Sequence, residues 1–171
     1  MVETNNIATQ VFRFFLLVAI QLLVISNIHL FGYSSPYIYL LFIIGFPLNT
    51  NKSLLIFLGF ILGLCIDIWS NSGGVHAGAT VLVAYLRPLL LKFSFGVSYE
   101  HNNIKFTQAE VRQQILYLLS MVFIHHFVLF LLENFSTKLL LQTIQSTIIT
   151  SIFSSILIYC IIILFSRIPK R

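Results

Sequence analysis

FFLLVAIQLLVISNIHLFGYSSPYIYLLFIIGFPLNTN, residues 14–51, stands between Arg13 and Lys52 without one Lys, Arg, Asp or Glu. At about 1.5 Å of rise per residue, a helix of that length is roughly twice as long as the hydrocarbon core of a bilayer is thick. The stretch is therefore expected to cross a membrane twice, at about 14–31 and 37–48. The break falls near Asn27 to Pro36, where Asn27, His29, Gly32, Ser34, Ser35 and Pro36 are turn or interface types. The second crossing is short and closes on Gly45 and Pro47, so a re-entrant segment is the alternative to a full span.

Composition points the same way. Of 171 residues 58% are hydrophobic and 9% charged, with a mean hydropathy of +0.95. A soluble domain carries about 25% charged residues, so a water-facing surface cannot be assembled from this chain. One integral membrane domain, 1–171, uses nearly all of it. The net charge of +5 comes from cations scattered between apolar runs, with no basic patch interleaved with aromatics, which argues against nucleic acid. Phe14 to Phe31 continues without an A-x-A-like site and is read as an uncleaved first span. Cys65 and Cys160 lie in apolar runs and are read as buried packing residues.

Further spans are expected at 53–69, 76–91, 114–132 and 139–165, which makes an all-α bundle of about six crossings. Ser-Asn-Ser-Gly-Gly, 70–74, is the tight turn between the third and fourth. Residues 92–113 form a polar loop ending in Thr107-Gln108-Ala109-Glu110, a capping box that starts the fifth helix near Gln108. Cytoplasmic loops retain Lys and Arg. With both termini cytoplasmic, Arg13, Lys52, Arg87, Lys92, Lys105, Arg112, Arg167, Lys170 and Arg171 all fall inside, and Lys138 outside. If 37–48 fails to span, a five-helix arrangement moves only Arg13 outward.

Chemistry-bearing residues are few. Gly59, Gly63 and Asp67 recur every four residues on one helix face, and Gly59 to Gly63 is a small-xxx-small spacing that suits close helix packing within the chain. A carboxylate at that depth needs a partner. Asp67 is expected either to accept N–H bonds from the Gly73-Gly74 turn or to face His76 across it. His76, Thr80, Ala84 and Arg87 share a face of the fourth helix, a polar stripe that would suit a ligand cavity; Arg87 is read as snorkelling to the headgroups instead. Pro88 is expected to bend or end that helix. His125 and His126 are adjacent and point to different faces, one against neighbouring helices and the other near an interface. Thr143, Thr147, Thr150 and Ser154 line one face of the last helix as helix-gluing hydroxyls or bonds to their own turn, with Gln142 and Gln145 nearby. No nucleophile and base pair, phosphate-binding loop or metal set is present in the sequence, so the expectation is a protein without catalysis, cofactor or metal.

Gly59-Phe60-Ile61-Leu62-Gly63-Leu64-Cys65-Ile66-Asp67, followed by Gly73-Gly74-Val75-His76-Ala77 and Ala84-Tyr85-Leu86-Arg87-Pro88, resembles the rod shape-determining MreD family. The resemblance is carried by about Gly59 to Pro88, with size, charge distribution and helix count agreeing along nearly the whole chain. It implies a non-enzymatic component of the cell-elongation machinery in the bacterial inner membrane, organising peptidoglycan synthesis with MreC as direct partner. RodA, a class B penicillin-binding protein, MreB and RodZ are the implied complex members. It also implies a fold similar to the substrate-binding subunits of energy-coupling-factor vitamin transporters. The positions matched to the family are Gly63, Asp67, Gly73, His76, Ala77 and Arg87; Gly59 joins them as a packing or partner-contact candidate. The loop from Tyr99 to Gln113 is longer than the family pattern. A small-molecule-binding transporter subunit is the competing function, and a membrane-embedded hydrolase a distant third.

Overall fold

The computed structural model describes residues 6–28, 35–47, 50–96, 109–134 and 139–165. Among them it is all helical: α1 Ile7–Leu23, a 3₁₀ turn at Ile25–Asn27, α2 Leu41–Ile44, α3 Lys52–Ser70, α4 Val75–Phe95, α5 Val111–Asn134 and α6 Leu140–Phe165. The last four are long and apolar enough to cross a membrane. Their outer faces carry large apolar side chains that in water would have no reason to be exposed, among them Phe57, Ile68, Leu89, Phe93, Ile152 and Leu164. This is the surface of a membrane helix bundle.

Local chemistry sets the helix ends. Asn6 caps α1 by accepting from the Ala8 N–H at 3.1 Å, and Asn51 caps α3 by accepting from Ser53 at 2.8 Å. At the far end of α3 the chain turns through Asn71 (φ 52°), Gly73 (φ 68°) and Gly74 (φ 96°), three left-handed residues in four, two of which are glycine because that region clashes with a Cβ. The turn is so tight that α4 runs back directly against α3. Neighbours α3–α4, α4–α5 and α5–α6 are packed antiparallel. Half of the most apolar window of α4 is buried, against a third in α3 and α6, so α4 is the central staff of the bundle.

Several boundaries differ from the expected spans. α1 starts at Ile7 rather than near 14, because Asn6 supplies the cap, and so Arg13 stands inside the helix. α4 runs through Pro88 to Phe95, since the residues beyond it, Leu90, Leu91 and Phe95, are buried and hold the helix together after the lost N–H. α5 begins at Val111 rather than near Gln108; the expected capping box lies partly outside the described residues, and Gln114 instead donates from its backbone to Glu110 (3.0 Å) and from its side chain to Ala109 (2.8 Å). The helices thus take both ends of the expected polar loop, and 97–108 with Lys105 lie outside the described residues. Cys160 is exposed on the bundle surface and Cys65 half-buried, so neither is the buried packing residue expected, because their helix faces turn toward the bundle exterior.

The second crossing departs most. Among its described residues, 37–47, only four, Leu41–Ile44, are helical; Ser35 to Ile38 are not helical and the chain turns again at Gly45. Twelve helical residues would rise only about 18 Å, too short for the bilayer core, whereas extended backbone covers roughly twice the distance per residue. The segment instead descends through the interior, with Tyr39, Leu40, Leu41 and Ile43 at most 1% exposed. Non-helical backbone is tolerated at membrane depth only where protein surrounds it.

Candidate functional site

The residues singled out in the sequence gather along α4, in three joints. The first is at its start. Asp67, 4% exposed near the end of α3, accepts from the backbone N–H of His76 (3.0 Å) and of Ala77 (2.8 Å) and from the Ser72 hydroxyl (2.5 Å). Those amides are free because the first turn of a helix has no internal acceptors, and the positive end of the helix dipole balances the carboxylate without a cation. Of the two expected arrangements the turn-capping one is nearer, shifted along the chain: the amides are those of His76 and Ala77 in place of Gly73 and Gly74, and the His76 ring bonds Tyr39. A Cβ on Gly63 would sit 2.5 Å from Ala77 Cα and 2.6 Å from Ala77 N, so the two backbones touch here. At Gly59 the nearest atoms would be 3.4–3.5 Å away, an ordinary contact. The pair is a packing motif within the chain, and Gly63 is its critical member. Gly73 serves the turn, with nothing within 4 Å of a Cβ placed there.

The second joint is a buried cluster of rings. The Tyr39 hydroxyl lies 2.9 Å from His76 Nδ1 and 3.0 Å from His125 Nε2. A phenol has one proton, so it donates to one imidazole and accepts from the other. His125 Nδ1 has no hydrogen-bond partner among the described residues. A bare acceptor there costs less than an orphaned N–H, which assigns the chain of donors as His125 Nε2–H to Tyr39, then Tyr39 O–H to His76. His126 is fixed independently. Its Nδ1 donates to the Val122 carbonyl at 2.6 Å, which leaves Nε2 to accept from Ser154 Oγ at 3.1 Å, while Ser154 Oγ accepts the Tyr37 N–H at 2.9 Å. The Tyr37 ring packs edgewise on His76, with centroids 5.2 Å apart, and lies 5.4 Å from that of His126.

Both His125 and His126 are 0% exposed and packed inside the bundle. The sequence does not single out this face, because α5 is apolar all round and only its packing shows which side turns inward. Tyr117, Leu118, Met121, Val122, Leu129 and Phe130 bury at spacings of one, three and four, and His125 and His126 are the next pair of that ladder. A ladder two residues wide takes both imidazoles inward. Tyr39 and Gln21 were passed over. Their signal was a polar group inside an uncharged stretch, which must find a partner when buried.

The third joint is Arg87, 4% exposed. Its Nε donates to the Tyr117 hydroxyl at 3.1 Å and its terminal nitrogen donates to the Phe46 carbonyl. It does not snorkel, because a nearer acceptor exists: the short α2 ends beside it, and the carbonyl just past a helix end has no helical donor. Arg87 thus ties α4 to α5 and to the second crossing. Thr80 Oγ1 bonds the carbonyls of His76 (2.7 Å) and Ala77 (3.0 Å) in its own helix. On α6 the hydroxyls act as expected in part: Thr147 donates to the Thr143 carbonyl at 2.7 Å, Thr143 Oγ1 accepts from Asn134 at 2.8 Å, and Ser154 serves the ring cluster. Gln142 and Gln145 are exposed.

No three His, Cys, Asp or Glu among the described residues are placed to hold a metal ion. Apart from these joints the bundle has an apolar groove of about 620 Å³ between α1 and α3, lined by none of the side chains of the His76 to Arg87 stripe. No family model, no curated protein and no solved structure matches the chain.

Proposed function

We infer that this chain is a non-catalytic assembly protein of the MreD type, a multi-pass component of the bacterial inner membrane that organises peptidoglycan synthesis during cell elongation with MreC as its direct partner. RodA, the class B penicillin-binding protein, MreB and RodZ complete the proposed complex. One observation carries the reading. Of the six positions on which the family resemblance rests, Gly63, Asp67, His76, Ala77 and Arg87 work as joints that fix one segment against another and Gly73 serves the turn, and they leave the outer apolar faces free for protein and lipid. A rigid frame with apolar flanks suits a protein whose task is to hold others in register. The competing reading, a small-molecule-binding transporter subunit, drew on the His76, Thr80, Ala84 and Arg87 stripe. Those side chains are 0–5% exposed and packed against neighbours, and none lines the groove.

The test is co-purification from solubilised membranes with MreC at fixed stoichiometry, together with depletion in the native host. A constant ratio and rounded cells are the expected results; unchanged cell shape on depletion overturns the proposal. Orientation is checked by reporter fusions after Arg171 and within 97–108, both expected on the cytoplasmic side on the strength of the Lys and Arg distribution.

A further inference from the structure

We propose that the His76 ring is a proton-driven latch: neutral, it holds Tyr39 of the second crossing, and charged, it releases Tyr39 and turns to the Asp67 carboxylate. This does not depend on the assembly reading; it requires only the contacts at the start of α4.

One residue stands between two partners. His76 is the second residue of α4; its backbone N–H lies 3.0 Å from Asp67 Oδ1, and its Nδ1 lies 2.9 Å from the Tyr39 hydroxyl. The groups that face it are Asp67 from α3, Tyr37 and Tyr39 from the second crossing, and His125 and His126 from α5, which meet it around the two tyrosine rings. Asp67 is the one carboxylate of that set. Its charge is met by two amides and the Ser72 hydroxyl, without a cation.

The donor count makes the two states exclusive. In the neutral cluster the bonds close, with His125 Nε2–H donating to Tyr39 and Tyr39 O–H donating to His76 Nδ1. An imidazolium has two N–H donors and no acceptor, so a proton taken up at His76 Nδ1 removes the acceptor of the phenol proton. Tyr39 is 0% exposed, and a hydroxyl proton orphaned there is costly, as is a cation enclosed by aromatic rings. At Asp67 the imidazolium instead gains a charge-assisted bond, beside a turn whose Asn71 and Gly73 are exposed. His76 is also the imidazole nearest to water, 5% exposed against 0% for the other two. His125 Nδ1 has a lone pair without a partner among the described residues, but it is enclosed and His125 bonds no carboxylate. On release Tyr39 keeps His125 alone, and the second crossing loses its tie to the start of α4 while Arg87 still holds Phe46. The tie is complete at neutral pH and lost as the pH falls.

The experiment follows amide exchange of the full chain in lipid nanodiscs from pH 8 to pH 4.5, each rate divided by the intrinsic chemical rate at that pH. Residues 38–46 should exchange about fivefold faster at the acid end, the order expected for one lost hydrogen bond, while α3 and α6 keep their protection. His76→Gln, whose amide oxygen accepts from Tyr39 and does not titrate, should abolish the response. If that variant loses its helical circular dichroism, the ¹⁵N shifts of His76 in the unsubstituted chain take its place, with Nδ1 expected to pass from acceptor to protonated over the same pH range. Asp67→Asn, which keeps an acceptor oxygen and loses the charge, should move the midpoint at least one pH unit lower. Exchange in 38–46 that is indifferent to pH overturns the proposal, and so does an acid response that survives His76→Gln, that leaves Nδ1 unprotonated, or that keeps its midpoint in Asp67→Asn.

Discussion

The α3–α4 hairpin and the second crossing solve the same problem, how to place backbone inside a bilayer, in opposite ways. In the hairpin two regular helices satisfy their own ladders, a four-residue turn joins them, and the free amides at the start of α4 are taken by a side chain only nine and ten residues away in sequence, Asp67. In the second crossing only α2 has a ladder. Gln21 accepts the Ile38 N–H at 2.8 Å and donates to Pro36, Ser154 accepts the Tyr37 N–H, and Arg87 takes the Phe46 carbonyl. The hairpin is stabilised by near neighbours and backbone contact, the crossing by side chains drawn from α1, α4 and α6. Regularity is cheap in lipid; irregularity requires the rest of the protein.

Substitutions can break each half of that contrast. The largest effect is expected for Asp67→Ala, which strips an ionised acceptor from two amides and a hydroxyl. At about 1.5–3 kcal/mol for a hydrogen bond to a charged group, the loss should be about 3 kcal/mol or more, read as a lowered midpoint of unfolding in mixed detergent micelles. A variant as stable as the parent would show that the turn alone holds the hairpin. Gly63→Ala forces backbone against backbone at Ala77 and should cost about 1–3 kcal/mol in the same assay. Arg87→Met should cost roughly 2 kcal/mol and do so unevenly. Amide exchange in 38–46 should accelerate while α3 keeps its protection, and uniform acceleration would mean that the crossing is not a separate unit. Tyr39→Phe keeps the ring and removes one hydroxyl, so about 1 kcal/mol is expected, with altered imidazole proton shifts of both His76 and His125 in NMR spectra as the signature of a shared bond. Gly59→Ala is the sharpening control. With ordinary contacts at 3.4–3.5 Å it should stay within about 0.5 kcal/mol of the parent.

The contrast also explains what was legible in the sequence. Helices α3 and α4 were placed to within four residues at each end, and Gly63, Asp67 and Gly73 were found, because periodicity, glycine turns and a lone carboxylate act over distances of a few residues. The second crossing was recognised as too short, yet its form was not, since nothing near 37–47 in sequence announces Arg87, Tyr117 or Ser154 as its partners. Arg87 illustrates the difference. At a helix end near an interface an arginine ordinarily reaches for headgroups, and only the nearby end of α2, created by a break in another segment, gives it a better acceptor. His125 and His126 show the same limit: α5 carries large apolar residues on every side, so the sequence does not mark the face on which both imidazoles turn inward.

Tyr37 and Ser154 are 117 positions apart, and the polypeptide is made from its N-terminus. When residues 37–46 leave the ribosome, α1 with Gln21 already exists, but Arg87, Tyr117 and Ser154 do not. The crossing is therefore synthesised before most of the side chains that satisfy its backbone. Until α4 is made the Phe46 carbonyl lacks the Arg87 guanidinium, and until α6 is made the Tyr37 N–H lacks its Ser154 acceptor, and backbone left so has no stable place in hydrocarbon. Placement of this segment in the bundle interior thus depends on side chains as far as 117 positions later in the chain.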